Sequence, residues 1–163
     1  MAEKRLLIIS DSHGRNENIT EAVRREWPLQ GTIHLGDFEC SLQTIMQICP
    51  GTLDIVAGNC DPFSKVPREK IITIGRYKAF LVHGSGGYAV SMDRRRLAAA
   101  AAEHGCQIAL FGHIHRPVDE VVDGVHVINP GSISNPRQKG YRRSYGIMTV
   151  RGDGSLDYSQ KYL

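Results

Sequence analysis

The stretch Leu6-Leu7-Ile8-Ile9-Ser10-Asp11-Ser12-His13-Gly14 decides how the rest of the chain is read. Its apolar run, Leu6 to Ile9, stops at an acid and an imidazole two positions apart. A short apolar run bounded by turn residues reads as a buried strand. The loop after such a strand faces a crevice at the carboxyl edge of its sheet. An Asp-x-His turn can aim an oxygen and an imidazole nitrogen into that crevice, a donor pair suited to Mn, Fe, Co, Ni or Zn. Taken alone, the pair equally describes a helix-capping acid and a surface histidine. The balance tips because the arrangement recurs.

Asn16 to Trp27 carries apolar residues at Ile19, Ala22, Val23 and Trp27, helical spacing that Pro28 ends. Thr32–Leu35 reads as a strand stopping at Gly36-Asp37, Leu42–Ile48 as a helix closed by Pro50-Gly51, and Leu53–Ala57 as a strand stopping at Gly58-Asn59-Cys60-Asp61. Strand, loop and helix in alternation predict βαβ units and a parallel sheet. Then the rhythm changes. Lys70–Ile74 and Tyr77–Val82 flank Gly75-Arg76 as a hairpin, its second strand stopping at His83-Gly84. Asp93–His104, with its alanine run, is a helix capped by Asp93 and ended by Gly105. Ile108–Phe111 is a strand stopping at Gly112-His113-Ile114-His115. Val118–Val122 and Val125–Ile128 flank Asp123-Gly124, a type I′ hairpin signal. Tyr145–Val150 and Leu156–Tyr162 flank a Gly152-Asp153-Gly154 turn. The late, antiparallel strands predict a second sheet beside the first. The expected architecture is α/β: one domain over residues 1–163, a four-layer αββα sandwich of two facing mixed β-sheets flanked by helices.

Composition sets limits. A chain of 163 residues, 41% hydrophobic and 23% charged, fits one soluble globular domain. A formal charge of +3 is too mild to indicate nucleic acid as a partner. No apolar run approaches the ~20 residues of a membrane span, and the N-terminal apolar run is too short for a secretion signal. A cytoplasmic protein is expected. Cys40, Cys49, Cys60 and Cys106 are scattered and read as reduced thiols, not as a disulfide framework or a zinc knot.

Five predicted strands therefore end in metal-competent side chains: Asp11 and His13, Asp37, Asn59, His83, and His113 with His115. Two carboxylates, one amide oxygen and four imidazoles are too many for one ion and suit two that share a bridge. Asp37 is the natural bridge, since a carboxylate has two oxygens. Two ions about 3.5–4 Å apart can clamp a phosphoryl oxygen and generate a hydroxide for in-line attack.

The ordered set Asp11-Ser12-His13, Gly36-Asp37, Gly58-Asn59-Cys60-Asp61, His83-Gly84 and Gly112-His113-Ile114-His115 resembles the calcineurin-like metallophosphoesterases. Within them it is similar to the small YfcE-type phosphodiesterases, as are Asn129-Pro130-Gly131-Ser132 and Pro136-Arg137. The resemblance implies that Asp11, His13 and His115 hold one ion, that Asn59, His83 and His113 hold the second, and that Asp37 is shared. It implies two divalent cations, Mn first and Fe, Ni, Co or Zn as alternatives. The implied reaction is hydrolysis of a small phosphoester by a hydroxide bridging the ions, without a covalent intermediate. Asn59, Cys60, His83 and His113 form the implied catalytic set. Relatives are often dimers or larger, so a homo-oligomer is an open option.

The chain departs from the family pattern at three places. Cys60 stands where many relatives have a histidine; it reads equally as a substrate contact and as a small buried residue. Ser85 replaces the second histidine of a His-Gly-His sequence, and Arg15 replaces an asparagine. Asp61 orients a ligand or caps the turn before Pro62. The runs Arg94-Arg95-Arg96 and Arg137 to Arg143 read as solvated, and His34, His104 and His126 are not assigned to metal. A second functional class is a non-catalytic scaffold on the same fold, as in the retromer subunit Vps29, which resembles the family. Such scaffolds have partly lost the ligand set, whereas all seven positions are filled here.

Overall fold

A computed structural model describes residues 2–86 and 93–163. In chain order the elements are β1 (Lys4–Ile9), α1 (Asn16–Glu26), β2 (Gly31–His34), α2 (Leu42–Ile48), β3 (Thr52–Ile55), β4 (Glu69–Ile74), β5 (Tyr77–Val82), α3 (Arg95–Glu103), β6 (Ile108–Leu110), β7 (Pro117–Val122), β8 (Val125–Pro130), β9 (Ser144–Val150) and β10 (Leu156–Tyr162). They form two five-stranded sheets, ordered β10-β9-β1-β2-β3 and β4-β5-β6-β8-β7.

Side-chain alternation along β1 builds the layers. Leu7 and Ile9 point outward to Ile19 and Ala22 of α1 and Ile45 of α2. Ile8, between them, points inward and packs with Ile33, Leu81, Leu110, Ile128 and Met148, a core sealed between the two sheets. On the far side Leu97, Ala98 and Ala101 of α3 press against Phe80, Phe111 and Val127. The alanine run thus lets helix and sheet approach closely. Each fully buried Leu, Ile or Phe contributes about 1.5–3 kcal/mol, and the expected four-layer sandwich follows from these three seams.

Local signals behave as the sequence predicts. Asp93 Oδ1 accepts the N–H of Arg95 at the start of α3, and Gly105 ends that helix at φ +68°. Asp123 and Gly124 both have positive φ, as a type I′ turn requires.

One expectation is corrected. The last hairpin does not join the second sheet; β9 pairs antiparallel with β1, register Ile8 to Gly146, and β10 lies outside it. Without β9, the apolar strand β1 would offer an unpaired edge. β9 is also apolar on both faces: Tyr145 and Ile147 join the helix side and Met148 the inter-sheet core.

β1, β2 and β3 run parallel, as do β5 and β6. The loops that leave their carboxyl ends are the ones that carry the candidate ligands.

Candidate metal centre

The loops after these strands are bonded to one another by main chain. The loop after β1 is zipped to that after β2 by Asp11 N–H to Gly36 O, His13 N–H to Asp37 O and Gly14 N–H to Phe38 O, at 2.9–3.0 Å. Gly112 N–H donates to His83 O at 3.0 Å, joining the loops after β5 and β6. Ser132 Oγ donates to Asp11 O at 2.8 Å, and Asn129 Nδ2 to Gly112 O at 2.8 Å. The Asn129-Pro130-Gly131-Ser132 segment is therefore a brace under the centre.

The backbone itself is unusual here. Asp11, His13, Asp37, Glu39, His113 and His115 all have φ between +45° and +69°. Non-glycine residues rarely occupy this left-handed region, and strained backbone of this kind clusters where function requires it. Close approach adds to the constraint: a Cβ on Gly58 would lie 2.0 Å from Asp37 Oδ1, and one on Gly112 1.9 Å from Ser10 Oγ.

Asp11 is wholly buried. Its Oδ2 accepts from Ser10 Oγ at 2.5 Å and from His113 N–H at 3.0 Å. Its Oδ1 has no hydrogen-bond partner, although His115 Nε2 stands 3.1 Å away, His83 Nε2 3.9 Å and His13 Nε2 4.0 Å. Asp37 Oδ1 accepts the Cys60 N–H at 2.8 Å, and Oδ2 lies 3.2 Å from His83 Nε2. His83 Nε2 is also 3.1 Å from Asn59 Oδ1.

The imidazoles are oriented from behind. His83 Nδ1 donates to Leu35 O at 2.7 Å and His115 Nδ1 to Asn135 O at 2.6 Å. A carbonyl only accepts, so each Nδ1 carries the proton and Nε2 is turned to the centre. His13 Nδ1 pairs with the Glu39 carboxylate, leaving its Nε2 3.3 Å from that of His115. Ligating histidines are held this way in metal sites.

The electrostatics match. Burial acts to raise the Asp11 pKa, but the nearby His115 and His83 and the Ser10 hydroxyl outweigh it and hold the carboxyl below its ordinary range. Burial is likewise overcome at Asp37 by His83 and the Cys60 N–H. Burial would lower the His83 pKa, yet Asp37, Asp11 and the Leu35 carbonyl raise it. Burial and the neighbouring His83 lower that of His113. Among the described residues, three sets of donor atoms lie within 4.8 Å of one another: Asp11, His13 and His115; Asp11, Asp37 and His83; and His13, Asp37 and Cys60. A buried carboxylate oxygen without a partner, beside imidazole nitrogens aimed at it, fits a divalent cation.

The calcineurin-like phosphoesterase superfamily domain matches residues 5–153. The chain belongs to that superfamily. It is 36% identical to the probable metallophosphoesterase YsnB of Bacillus subtilis, over 92% of this chain and 86% of the relative. It is 31% identical to the phosphodiesterase MJ0936 of Methanocaldococcus jannaschii, over 94% of this chain and 93% of that one. Among solved structures, a predicted phosphoesterase of Streptococcus pneumoniae superposes with a TM-score of 0.80 at 24% identity, covering 100% and 98% of the two chains. Vps29 of Entamoeba histolytica does so at 0.74 and 21% identity, covering 98% and 99%. Both structural likenesses are likenesses of fold.

In this calcineurin-like phosphoesterase, membership implies divalent metal ions and hydrolysis of phosphoester bonds. The structure brings Asp11, His13, Asp37, Asn59, His83, His113 and His115 together at the carboxyl ends of strands from both sheets. His113 joins through its ring, 5.2 Å from that of His83. Cys60 lies beside them, its thiol pushed up to about 11 by burial and by Asp37, Glu39 and Asp61. Arg15 is an exposed helix-start residue, and Ser85 lines a small cleft with Arg68 and His83. His34, His104 and His126 lie elsewhere: His34 on Ser12, His104 stacked on Phe80, His126 on Asp119.

Two carboxylates hold the phosphoesterase centre from behind. Asp61 Oδ2 accepts the N–H groups of Asp37 and Gly58 at 2.7 and 2.9 Å, and Oδ1 that of Glu39 at 2.9 Å. Asp61 thus joins the main chain at Asp37 to the turn before Pro62, which it closes through Gly58. Glu39 was missed altogether, because an isolated acid in a turn carries no distinguishing pattern. Its only signal was its place two residues after Asp37, repeating the spacing of Asp11 and His13. Besides the small cleft at Ser85, among the described residues the centre is flanked by an apolar groove of about 770 Å³ past Cys60, Pro62 and Phe63 and a cleft of about 430 Å³ beside His113.

Proposed function

We propose that this protein is a phosphodiesterase that uses two divalent cations, one held by Asp11, His13 and His115, the other by Asn59, His83 and His113, with Asp37 touching both. The observation that carries the reading is Asp11 Oδ1, a buried carboxylate oxygen without a hydrogen bond and with three histidine Nε2 atoms within 4.0 Å. An orphaned buried acceptor costs about 1–3 kcal/mol, more when charged, and a cation removes that cost. The imidazole and carboxylate donors suit Mn, Fe, Co, Ni or Zn, with Mn the first choice. The chemistry such a pair supplies is a water acidified enough to attack phosphorus as hydroxide, together with neutralisation of charge on the phosphoryl oxygens.

The chain's own residues do the rest. The main-chain brace fixes all seven ligands before substrate arrives, so little reorganisation accompanies reaction. His83 and His113 would hold the second cation and through it favour the charge that grows on the phosphoryl group. Cys60 keeps its proton at neutral pH, which argues against a nucleophile. A diester, as opposed to a monoester, is supported by the relative that bears the name phosphodiesterase. The scaffold reading has a likeness of fold to Vps29 behind it, whereas the full donor set and the names of the relatives favour the enzyme.

The test is hydrolysis of bis(p-nitrophenyl) phosphate by metal-stripped protein given Mn, Fe, Co, Ni or Zn, alongside Asp37→Asn. Turnover with metal, its loss in the variant, and an unchanged circular dichroism spectrum are expected. Activity equal with and without every ion would overturn the reading.

A further inference from the structure

We propose that the cleft beside His113 binds a second phosphate group on the substrate, so that the preferred substrate is a diester carrying another phosphate near the scissile one. The inference rests on the phosphodiesterase reading and specifies its substrate class. The cleft, about 430 Å³, is lined by Arg94, Arg116 and Arg137 together with His113. Three guanidinium groups around one opening next to a candidate ligand far exceed what a chain of net charge +3 would place there evenly.

Two of the three are uncommitted. Arg94 is held by Glu120, but Arg116 and Arg137 are exposed and pair with no carboxylate among the described residues. Both are positioned by the centre itself. Arg116 directly follows His115, and the Arg137 N–H donates to His115 O at 2.9 Å. Two other arginines of the surrounding basic run are engaged. Arg142 lies 4.4 Å over the Tyr162 ring, and Arg143 donates to Asn18 Oδ1 at 3.2 Å. Of those arginines, Arg137 alone lines the cleft. Guanidinium forks suit phosphate oxygens in geometry and charge. The apolar groove on the Cys60 side offers the opposite chemistry, with Phe63 almost fully exposed. A substrate with an apolar ring at one end and a phosphate at the other, as in a phosphorylated nucleoside ester, matches both flanks.

The experiment compares p-nitrophenyl thymidine 5′-phosphate with the same ester bearing a 3′-phosphate, using Mn-loaded wild type and the Arg116→Ala/Arg137→Ala variant. Two charge-assisted contacts predict a kcat/KM at least about tenfold higher for the 3′-phosphorylated ester in wild type, carried by KM. The double variant is expected to treat the two esters alike, and Arg137→Lys to keep part of the preference. Equal use of both esters by wild type, or a preference that survives the double substitution, would overturn the inference while leaving the phosphodiesterase reading intact. If neither ester is cleaved with any ion, that reading fails instead. Calorimetric binding of thymidine 3′,5′-bisphosphate to wild type, weakened at least tenfold in the double variant, then still decides the cleft. Substrates longer by one nucleotide separate sources: an undiminished but constant preference marks a small bisphosphate, a growing one a strand end.

Discussion

Asp61 accepts the main-chain N–H of Asp37 at 2.7 Å, so the acid proposed to be shared by both cations is itself held by a second acid from the neighbouring loop. The same carboxylate also takes the N–H groups of Gly58 and Glu39. Asp61→Asn replaces one acceptor by an amide that faces donors. Bonds to a charged acceptor are worth about 1.5–3 kcal/mol each, so a stability loss of roughly 2–4 kcal/mol in urea unfolding is expected. A variant within about 0.5 kcal/mol of wild type would show that the loops are held by other means.

Glu39 orients His13 through Nδ1. Removing such an outer partner costs about 10–100-fold in metal affinity. Glu39→Ala is expected to weaken Mn binding by that factor in calorimetric titration, with Glu39→Gln intermediate because its amide oxygen still accepts. Wild-type affinity in the alanine variant would release His13 from this dependence.

Gly58 is required for space. An alanine Cβ would meet Asp37 Oδ1 at 2.0 Å and Asp37 N at 2.5 Å, and main chain cannot yield as a flexible side chain can. Gly58→Ala is expected to lower stability by about 1–3 kcal/mol and to abolish turnover by displacing Asp37. Thermal unfolding and the chromogenic assay report the two effects separately.

His34 supplies a pH dependence from a group that is not itself a candidate ligand but is bonded to the loops that carry Asp11, His13 and Asp37. Burial pushes its pKa down to about 4 from an ordinary 6.5. Its neutral form is satisfied, with Nδ1 accepting from Gly36 N–H and Nε2 bonded to Ser12 Oγ. Above pH 6.5 neither folded nor unfolded chain protonates it. Between 6.5 and about 4 only the unfolded chain does, so stability falls with pH across that window, by up to roughly 3 kcal/mol. His34→Gln is expected to flatten that part of the profile in urea titrations of metal-free protein. Parallel wild-type and variant profiles would assign the acid sensitivity elsewhere.

Much of the fold and centre was legible because both repeat a local signal. Apolar runs ending at Asp11, Asp37, Asn59, His83 and His113 mark strands and candidate ligands at once, and the turns at Asp123-Gly124 and Gly105 follow from backbone preference. What escaped was non-local. The pairing of β9 with β1 depends on which edge is left open, which neither strand encodes by itself. Glu39 and the brace of Ser132 and Asn129 act across 17 or more residues of chain and look like ordinary turn polars. Arg94, Arg116 and Arg137 appear as separate charges until the fold gathers them.

The positive φ angles at Asp11, His13, Asp37, Glu39, His113 and His115 have a bearing on engineering. Each such residue lowers the native state's margin by about 1–3 kcal/mol, a sum that exceeds the net stability of many small domains. Thermostabilising screens run without metal should therefore enrich glycine or asparagine at these six positions. The hardier proteins so obtained would be inactive when changed at the five aspartate and histidine positions, and a selection that demands turnover will have to find its gains in the helices and outer strands.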